Sequence, residues 1–126
     1  MNHDSIKKDL LELGARASLK GLNYTARAIE LYYTGCRITS DNGIYGIIAK
    51  ENNDTQSRVE RAIRHMIHEM HGRVGKEELM KRISGKYGII LYAADWEKPP
   101  SNSEFIAVIK LGIEGGTHGL QQKNID

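Results

Sequence analysis

The stretch DTQSRVERAIRHMIHEMH, residues 54–71, carries the pattern that decides the fold. At about 100° per residue its apolar side chains fall within an arc of roughly 140°, which is typical of a helix that packs one side against a core. These side chains are Val59, Ala62, Ile63, Met66, Ile67 and Met70. Bases outnumber acids on the remaining side, whereas ordinary solvated helices mix the two signs. The stretch therefore predicts a helix that presents a surface to an anionic partner.

The residues just before this helix form a helix-turn-helix pattern. Ala49 lies ten residues before Val59, and the turn-forming run ENNDT (51–55) separates them. A small residue in one helix, a turn and a branched apolar residue early in the next helix allow the two helices to pack closely. The second helix then projects its N-terminal half into a DNA major groove. Because this spacing is degenerate, a basic amphipathic helix without a DNA role is the competing interpretation.

Helical periodicity extends over most of the chain and predicts an all-α fold, a bundle of about six helices. The predicted helices cover residues 6–13, 22–32, 44–49, 55–70 and 76–83, and a sixth begins after residue 100. The segment KYGIILYAADW (86–96) is β-branched and aromatic, which predicts a short strand or hairpin arm. We expect one helix-turn-helix domain over residues 1–113 and a flexible, glycine-rich tail over residues 114–126.

Length and composition point to one globular domain. The 126 residues include 40% hydrophobic and 27% charged residues, and the net charge of +2 is too small to identify a partner. The one cysteine, Cys36, cannot form an internal disulfide. The N-terminus lacks a signal-peptide pattern, and no segment reaches the ~18 consecutive apolar residues of a membrane span. We therefore expect a cytoplasmic protein without membrane contact.

Three segments resemble the DNA-binding output domain of the stage zero sporulation protein A family. They are LGARASLKG (13–21), SRVERAIRH (57–65) and KPPSNSEFIA (98–107), in the family's order. The resemblance extends from about residue 10 to residue 109. It implies a six-helix bundle with a helix-turn-helix, whose recognition helix covers about residues 55–70. It also implies a sequence-specific transcription regulator that binds double-stranded DNA, with RNA polymerase or a second copy on tandem sites as further partners.

The same resemblance implies roles for individual residues on and around that helix. Base edges of a short asymmetric DNA box would be read by Arg58, Glu60 and Arg61. This chemistry suits base reading, because arginine can fork onto guanine and glutamate can accept from cytosine. The DNA backbone would be contacted by six residues: Ser57, Arg64, His65, Lys20, Asn102 and Ser103. The last two would act through free N–H groups at the start of the final helix.

The chain departs from the family pattern in three places. A receiver domain usually precedes this domain in the family, and these 126 residues contain none. We therefore expect a stand-alone homologue or a part of a longer protein, whose activity follows its concentration or its partners. Asn52 stands where the family tends to have a buried aromatic residue, which predicts looser helix packing and a gain in stability from Asn52→Phe. The segment KLGIEGG (110–116) is poorer in bases than in the family, which argues against cooperative pairing on tandem sites.

Two other functions compete with DNA binding. A degenerate homologue could bind a sporulation regulator or RNA polymerase as an interaction module, without strong DNA binding. A metal-dependent hydrolase would use His65, His68 and Glu69, but their spacing differs from the H-E-x-x-H pattern that places two imidazoles on one helix face. No nucleophile arrangement or cofactor motif stands out. We therefore predict a non-enzyme without cofactor or metal.

Overall fold

Six α-helices form the part of the chain that the computed structural model describes, which is residues 2–38, 43–89 and 96–125, with only the backbone described from residue 116 on. The helices are α1 (His3–Leu13), α2 (Lys20–Tyr33), α3 (Ile44–Glu51), α4 (Gln56–Val74), α5 (Lys76–Tyr87) and α6 (Asn102–Ile125). No strand occurs within the described ranges. The predicted all-α class is therefore confirmed, as is the number of helices.

Local capping chemistry sets several helix ends. Asn2 begins α1, because its side chain accepts the Ser5 N–H at 2.8 Å and the Ser5 hydroxyl accepts the Asn2 N–H in return. The Thr55 hydroxyl accepts the Arg58 N–H at 3.2 Å and begins α4. Gly75, with φ of 92°, ends α4 and lets the chain turn directly into α5. These turns keep consecutive helices close together.

Helix α5 extends beyond its predicted end. Its buried apolar residues recur every fourth position, at Leu79, Ile83 and Tyr87. The Tyr87 hydroxyl also donates to the Asp9 carboxylate on α1 at 3.0 Å, which ties the last turn of α5 to the bundle. The strand predicted over residues 86–96 is therefore wrong wherever that segment is described, because helical burial outweighs β propensity there. Residues 90–95 lie outside the described residues.

The last helix crosses the predicted domain boundary. Helix α6 is continuous from Asn102 to Ile125, so the boundary expected at residue 113 falls within a helix. Ser101 caps its start, since the Ser101 hydroxyl accepts the Glu104 N–H at 3.1 Å. Phe105, Ile106 and Ile109 of this helix are fully buried. The flexibility of residues 114–126 stays a prediction.

Helix α2 lies at the centre of the bundle and packs against α1, α3, α4 and α6. Its crossing with α4 is so close that a Cβ atom on Gly21 would lie 2.2 Å from the Ala62 carbonyl oxygen. It would also lie 2.9 Å from the Met66 Cβ, so the two backbones can meet only through a glycine. The predicted apolar side of α4 faces this crossing. Its members are fully buried except Ala62, which is half-buried.

This crossing predicts opposite effects for two glycine-to-alanine substitutions. Gly21→Ala should lower the free energy of unfolding by about 1–3 kcal/mol, because the added methyl group forces α2 away from α4. Gly72 lies on the exposed side of α4, where a Cβ atom would meet nothing within 4 Å. Gly72→Ala should therefore raise the free energy of unfolding by up to about 1 kcal/mol through helix propensity. Urea denaturation of both variants tests this, and equal effects of the same sign would contradict the close crossing.

Candidate nucleic-acid interface

One side of α4 is turned to solvent and carries the basic residues. The α4 outer face comprises Ser57, Arg58, Arg61, Arg64, His65 and His68, all of which are exposed. Exposed fractions of 74% for the Arg58 side chain and 48% for Arg64 show that both guanidinium groups can reach a partner. The opposite side of the helix packs into the core, so α4 cannot rotate without exposing apolar area. The fold therefore presents this face as a fixed surface.

The three arginines of the α4 outer face differ in their ion pairs. Arg64 donates to the Glu60 carboxylate at 2.5 Å, one helical turn away. Arg58 lies 4.0 Å from the Asp54 carboxylate, a loose contact. Arg61 has no ion-pair partner among the described residues. Arg61 and Arg58 are therefore the arginines most available to a ligand. Glu60 could accept a hydrogen bond from a DNA base only if it shared its carboxylate with Arg64 or released Arg64.

A four-residue turn joins α3 to α4 tightly. Ala49 and Val59 are both buried, so the two helices pack through the residues that the helix-turn-helix pattern singled out. Asn53 adopts a left-handed conformation with φ of 52°, which asparagine tolerates better than most residues. The Asp54 N–H donates to the Ala49 carbonyl at 2.9 Å and closes the turn. This arrangement is consistent with a helix-turn-helix.

The predicted role of Asn52 in this turn is wrong. Its side chain is exposed at the end of α3, where its amide donates to the Ile48 carbonyl at 2.8 Å. The side chain therefore satisfies a carbonyl that the helix end leaves without an intrahelical partner. It does not replace a missing apolar group, and a phenylalanine at this position would lose that hydrogen bond without gaining a buried site. Asn52→Phe is therefore not expected to stabilise the protein.

Asp54 joins the turn to α2 through a buried carboxylate. Its side chain is only 4% exposed and accepts hydrogen bonds from the Tyr24 hydroxyl at 2.8 Å and from the Thr55 N–H at 2.9 Å. The Lys20 ammonium lies 3.0 Å from the same carboxylate. These bonds from Tyr24, Lys20 and the Thr55 backbone stabilise the charged form and lower the pKa of Asp54 to about 2. The same contacts with Asp54 and Tyr24 raise the pKa of Lys20.

The start of α6 lies beside the α4 outer face. The buried Asn102 side chain donates from its amide to the Glu60 carbonyl at 3.0 Å, which attaches α6 to α4. Between the two helices is a cleft of about 360 Å³, whose lining includes Arg64, His68 and the exposed Ser103. The first N–H groups of α6 point along the helix axis without intrahelical acceptors. Only the backbone of Asn102 is therefore placed to bind a ligand, since its side chain is used within the fold.

The structure brings the predicted site residues to one region. Lys20 reaches the N-terminus of α4 through Asp54, and Asn102 and Ser103 flank the middle of α4. Of the nine predicted residues, Glu60 is half-buried, Asn102 is buried and the other seven are exposed. Sequence reasoning missed Asp54 and Tyr24, because a turn aspartate and a helical tyrosine thirty residues away give no shared signal.

Glu69, the acidic residue of the metal alternative, is used in ion pairs within the fold. The Glu69 carboxylate accepts from Arg73 at 2.8 Å and from Arg16 at 2.6 Å, and these bonds lower its pKa to about 2. Within residues 2–38, 43–89 and 96–115, no three histidine, cysteine or acidic side chains are grouped closely enough to hold a metal ion. In the same part of the chain no helix is long and apolar enough to cross a membrane.

A helical bundle that fixes a basic, solvent-facing helix after a tight turn is an arrangement that helical DNA-binding domains use. Comparison of the sequence with known families agrees with this assignment. Residues 6–113 match the family described as the sporulation initiation factor Spo0A C terminal, and the chain belongs to that family. This is a family of DNA-binding domains that regulate transcription in sporulation, not a family of enzymes.

The Asp54 contacts predict a specific pH dependence of stability. The pKa of this carboxylate is lower in the folded protein than its ordinary value of 3.8, so its contribution is present above pH 3.8 and is lost as the pH falls towards 2. Asp54→Asn should therefore be less stable than the wild type at pH 6, and the difference should shrink towards pH 2.5. Urea denaturation at both pH values measures it. The contribution of Glu69 is the same in both proteins and cancels in the comparison. A stability difference between wild type and Asp54→Asn that does not change with pH would contradict the assigned Asp54 contacts.

Proposed function

We propose that the chain is a sequence-specific transcription regulator that binds double-stranded DNA by inserting the N-terminal half of α4 into the major groove. The observation that carries the proposal is the α4 outer face, a fixed and exposed basic surface on a helix that follows a tight turn. A helix of 19 residues is about 28 Å long, and the major groove, about 12 Å wide, admits it. Its N-terminal residues would enter deepest, as in other helix-turn-helix proteins.

We assign base reading to Arg58, Glu60 and Arg61. Arg58 and Arg61 lie in the first two turns of α4, are exposed and can each fork onto the O6 and N7 atoms of a guanine. Glu60 would accept from a cytosine amino group through the carboxylate that it shares with Arg64 in the free protein. This mixture of arginine and glutamate suits discrimination between base pairs. A surface that only attracted phosphate would carry positively charged side chains and no glutamate.

Contacts with the DNA backbone would surround that central set. Ser57, Arg64 and His65 lie on the same face of α4 and would contact phosphate or sugar oxygens. Lys20 would reach a phosphate on one side of the groove. The N–H groups of Asn102 and Ser103 would hold one on the other side, since a helix N-terminus favours an anion. Six such contacts would fix the orientation of α4 on the duplex.

Partners and location are the finer part of the proposal. RNA polymerase and a second copy on a tandem site are the further partners that a regulator of this family would meet. As a DNA-binding domain it would act in the cytoplasm, where bacterial DNA lies. The interaction-module alternative would instead bind a sporulation regulator or RNA polymerase, without strong DNA binding.

Selection of binding sites from random duplex DNA tests the proposed function directly. We expect one short asymmetric motif to be enriched, because one α4 per domain reads one groove segment without internal symmetry. The binding constant of the enriched site should exceed that of a scrambled duplex by at least about 10³-fold at physiological salt. A library that returns no motif, from protein shown to be folded, would favour the interaction-module alternative.

Alanine substitutions should separate the base-reading arginines from a phosphate contact. Arg58→Ala and Arg61→Ala should each weaken binding to the selected site by about 1–3 kcal/mol and relax the preference at one or two base pairs. Because both side chains are exposed, the free energy of unfolding of each variant should differ from that of the wild type by less than about 0.5 kcal/mol. Lys20→Ala should weaken binding to selected and scrambled duplexes alike and reduce the salt slope by about one.

Arg82→Ala is the matched control, because Arg82 is an exposed arginine on α5 that pairs with Glu78 and donates to the Leu13 carbonyl, on a side of the bundle away from the α4 outer face. It should leave both affinity and discrimination unchanged. Fluorescence anisotropy across a salt series, with both duplexes, measures all four variants. Loss of affinity without loss of discrimination in Arg58→Ala and Arg61→Ala would refute the assignment of base reading to α4.

A further inference from the structure

A buried negative charge lies between two exposed cations of the proposed DNA interface. The Asp54 carboxylate is 4% exposed, whereas the side chains of Lys20 and Arg58 beside it are 67% and 74% exposed. One carboxylate oxygen lies 3.0 Å from the Lys20 ammonium, and the other lies 4.0 Å from the Arg58 guanidinium. The carboxylate therefore contacts a proposed phosphate contact on α2 and a proposed base reader on α4 at once.

The carboxylate cannot turn away from these cations when a ligand arrives. The Tyr24 hydroxyl and the Thr55 N–H hold it at 2.8 and 2.9 Å, from α2 and from the turn. Tyr24 is itself buried, so its hydroxyl is fixed by the packing of α2. The charge of Asp54 therefore stays within the interface in the free and the bound protein, and the low pKa keeps it ionised at neutral pH.

A fixed anion at this place opposes the general attraction between protein and phosphate. Affinity for any duplex depends on how much phosphate charge the protein neutralises, and this term is independent of sequence. Asp54 offsets one of the two positive charges beside it, so the pair attracts phosphate less than two lysines or arginines alone would. At the same time it restricts the rotamers of Lys20 through the 3.0 Å contact, and it attracts the Arg58 guanidinium more weakly across 4.0 Å. Both effects lower the entropy lost when these side chains bind.

We propose that Asp54 is a positioning residue that sets DNA specificity: it holds Lys20 in place, draws the Arg58 guanidinium towards the turn and lowers affinity for duplexes of any sequence, which widens the gap between cognate and random sites. This inference rests on the proposed function of the α4 outer face. On random DNA the residue acts only as an opposing charge. On the cognate site the attraction between Asp54 and Arg58 offsets part of this loss of affinity. The Arg58 guanidinium must take one position to bind its base, and Asp54 favours a restricted set of positions.

Asp54→Asn tests this inference, because asparagine keeps the shape and removes the charge. Binding to a random duplex should strengthen about three- to ten-fold at low salt, and the salt slope should steepen by up to about one. Binding to the selected site should strengthen less, so the ratio of cognate to random affinity should fall. Urea denaturation under the binding conditions shows whether the variant is folded, so that stronger binding is not read from an unfolded fraction. Asp54→Ser, which retains an oxygen for the Thr55 N–H, provides a second variant if asparagine destabilises the turn.

Glu78→Gln is the matched control, because it removes one negative charge from an ion pair on α5, away from Lys20 and from the α4 outer face. It should leave the random-duplex affinity nearly unchanged. If Glu78→Gln strengthens random binding as much as Asp54→Asn does, only the net charge matters and the inference is overturned. Unchanged or weakened random binding in both Asp54 variants overturns it as well. If the wild-type protein selects a DNA motif, the proposed function stands whatever the Asp54 variants do. If the wild-type protein binds no duplex, both the proposed function and this inference are wrong.

Discussion

The close crossing of α2 and α4 at Gly21 is the constraint on which the site depends. Because the Gly21 position has no room for a Cβ atom, the backbone of α2 lies directly against the Ala62 carbonyl of α4. The neighbouring Lys20, and Tyr24 one turn later, are thereby carried to the N-terminus of α4, where both meet the Asp54 carboxylate. A wider crossing would separate these groups. The packing of the core and the electrostatics of the surface are in this way two consequences of one contact.

The sequence predicted the helices well where burial follows a simple period. The apolar side of α4 and the spacing of Ala49 and Val59 both depend on residues that lie close together in the sequence. Predictions failed where distant contacts decide. The end of α5 extends to Tyr87 because that residue is buried and bonds to Asp9, seventy-eight residues away. No local propensity carries that information.

The same limit applies to the site. Exposure of the α4 basic residues followed from their position opposite the apolar arc, so the face could be predicted from the sequence. The use of the Asn102 side chain within the fold could not, because its acceptor is the Glu60 carbonyl on another helix. Nor could the pairing of Asp54 with Lys20 and Tyr24, which depends on the Gly21 crossing. With a net charge of only +2, these pairings decide which cations remain available to a ligand.

The central claim is that Arg58 and Arg61 read guanines through the major groove, and one measurement tests it most directly. Guanines of the selected site would be replaced one at a time by 7-deazaguanine, which lacks the N7 acceptor, and binding would be compared for wild type, Arg58→Ala and Arg61→Ala. Each arginine should be coupled to one guanine, so the replacement that weakens wild-type binding should have no further effect in the matching variant. Equal losses in the wild type and both variants at every guanine would show that these arginines do not read base edges, and would contradict the account.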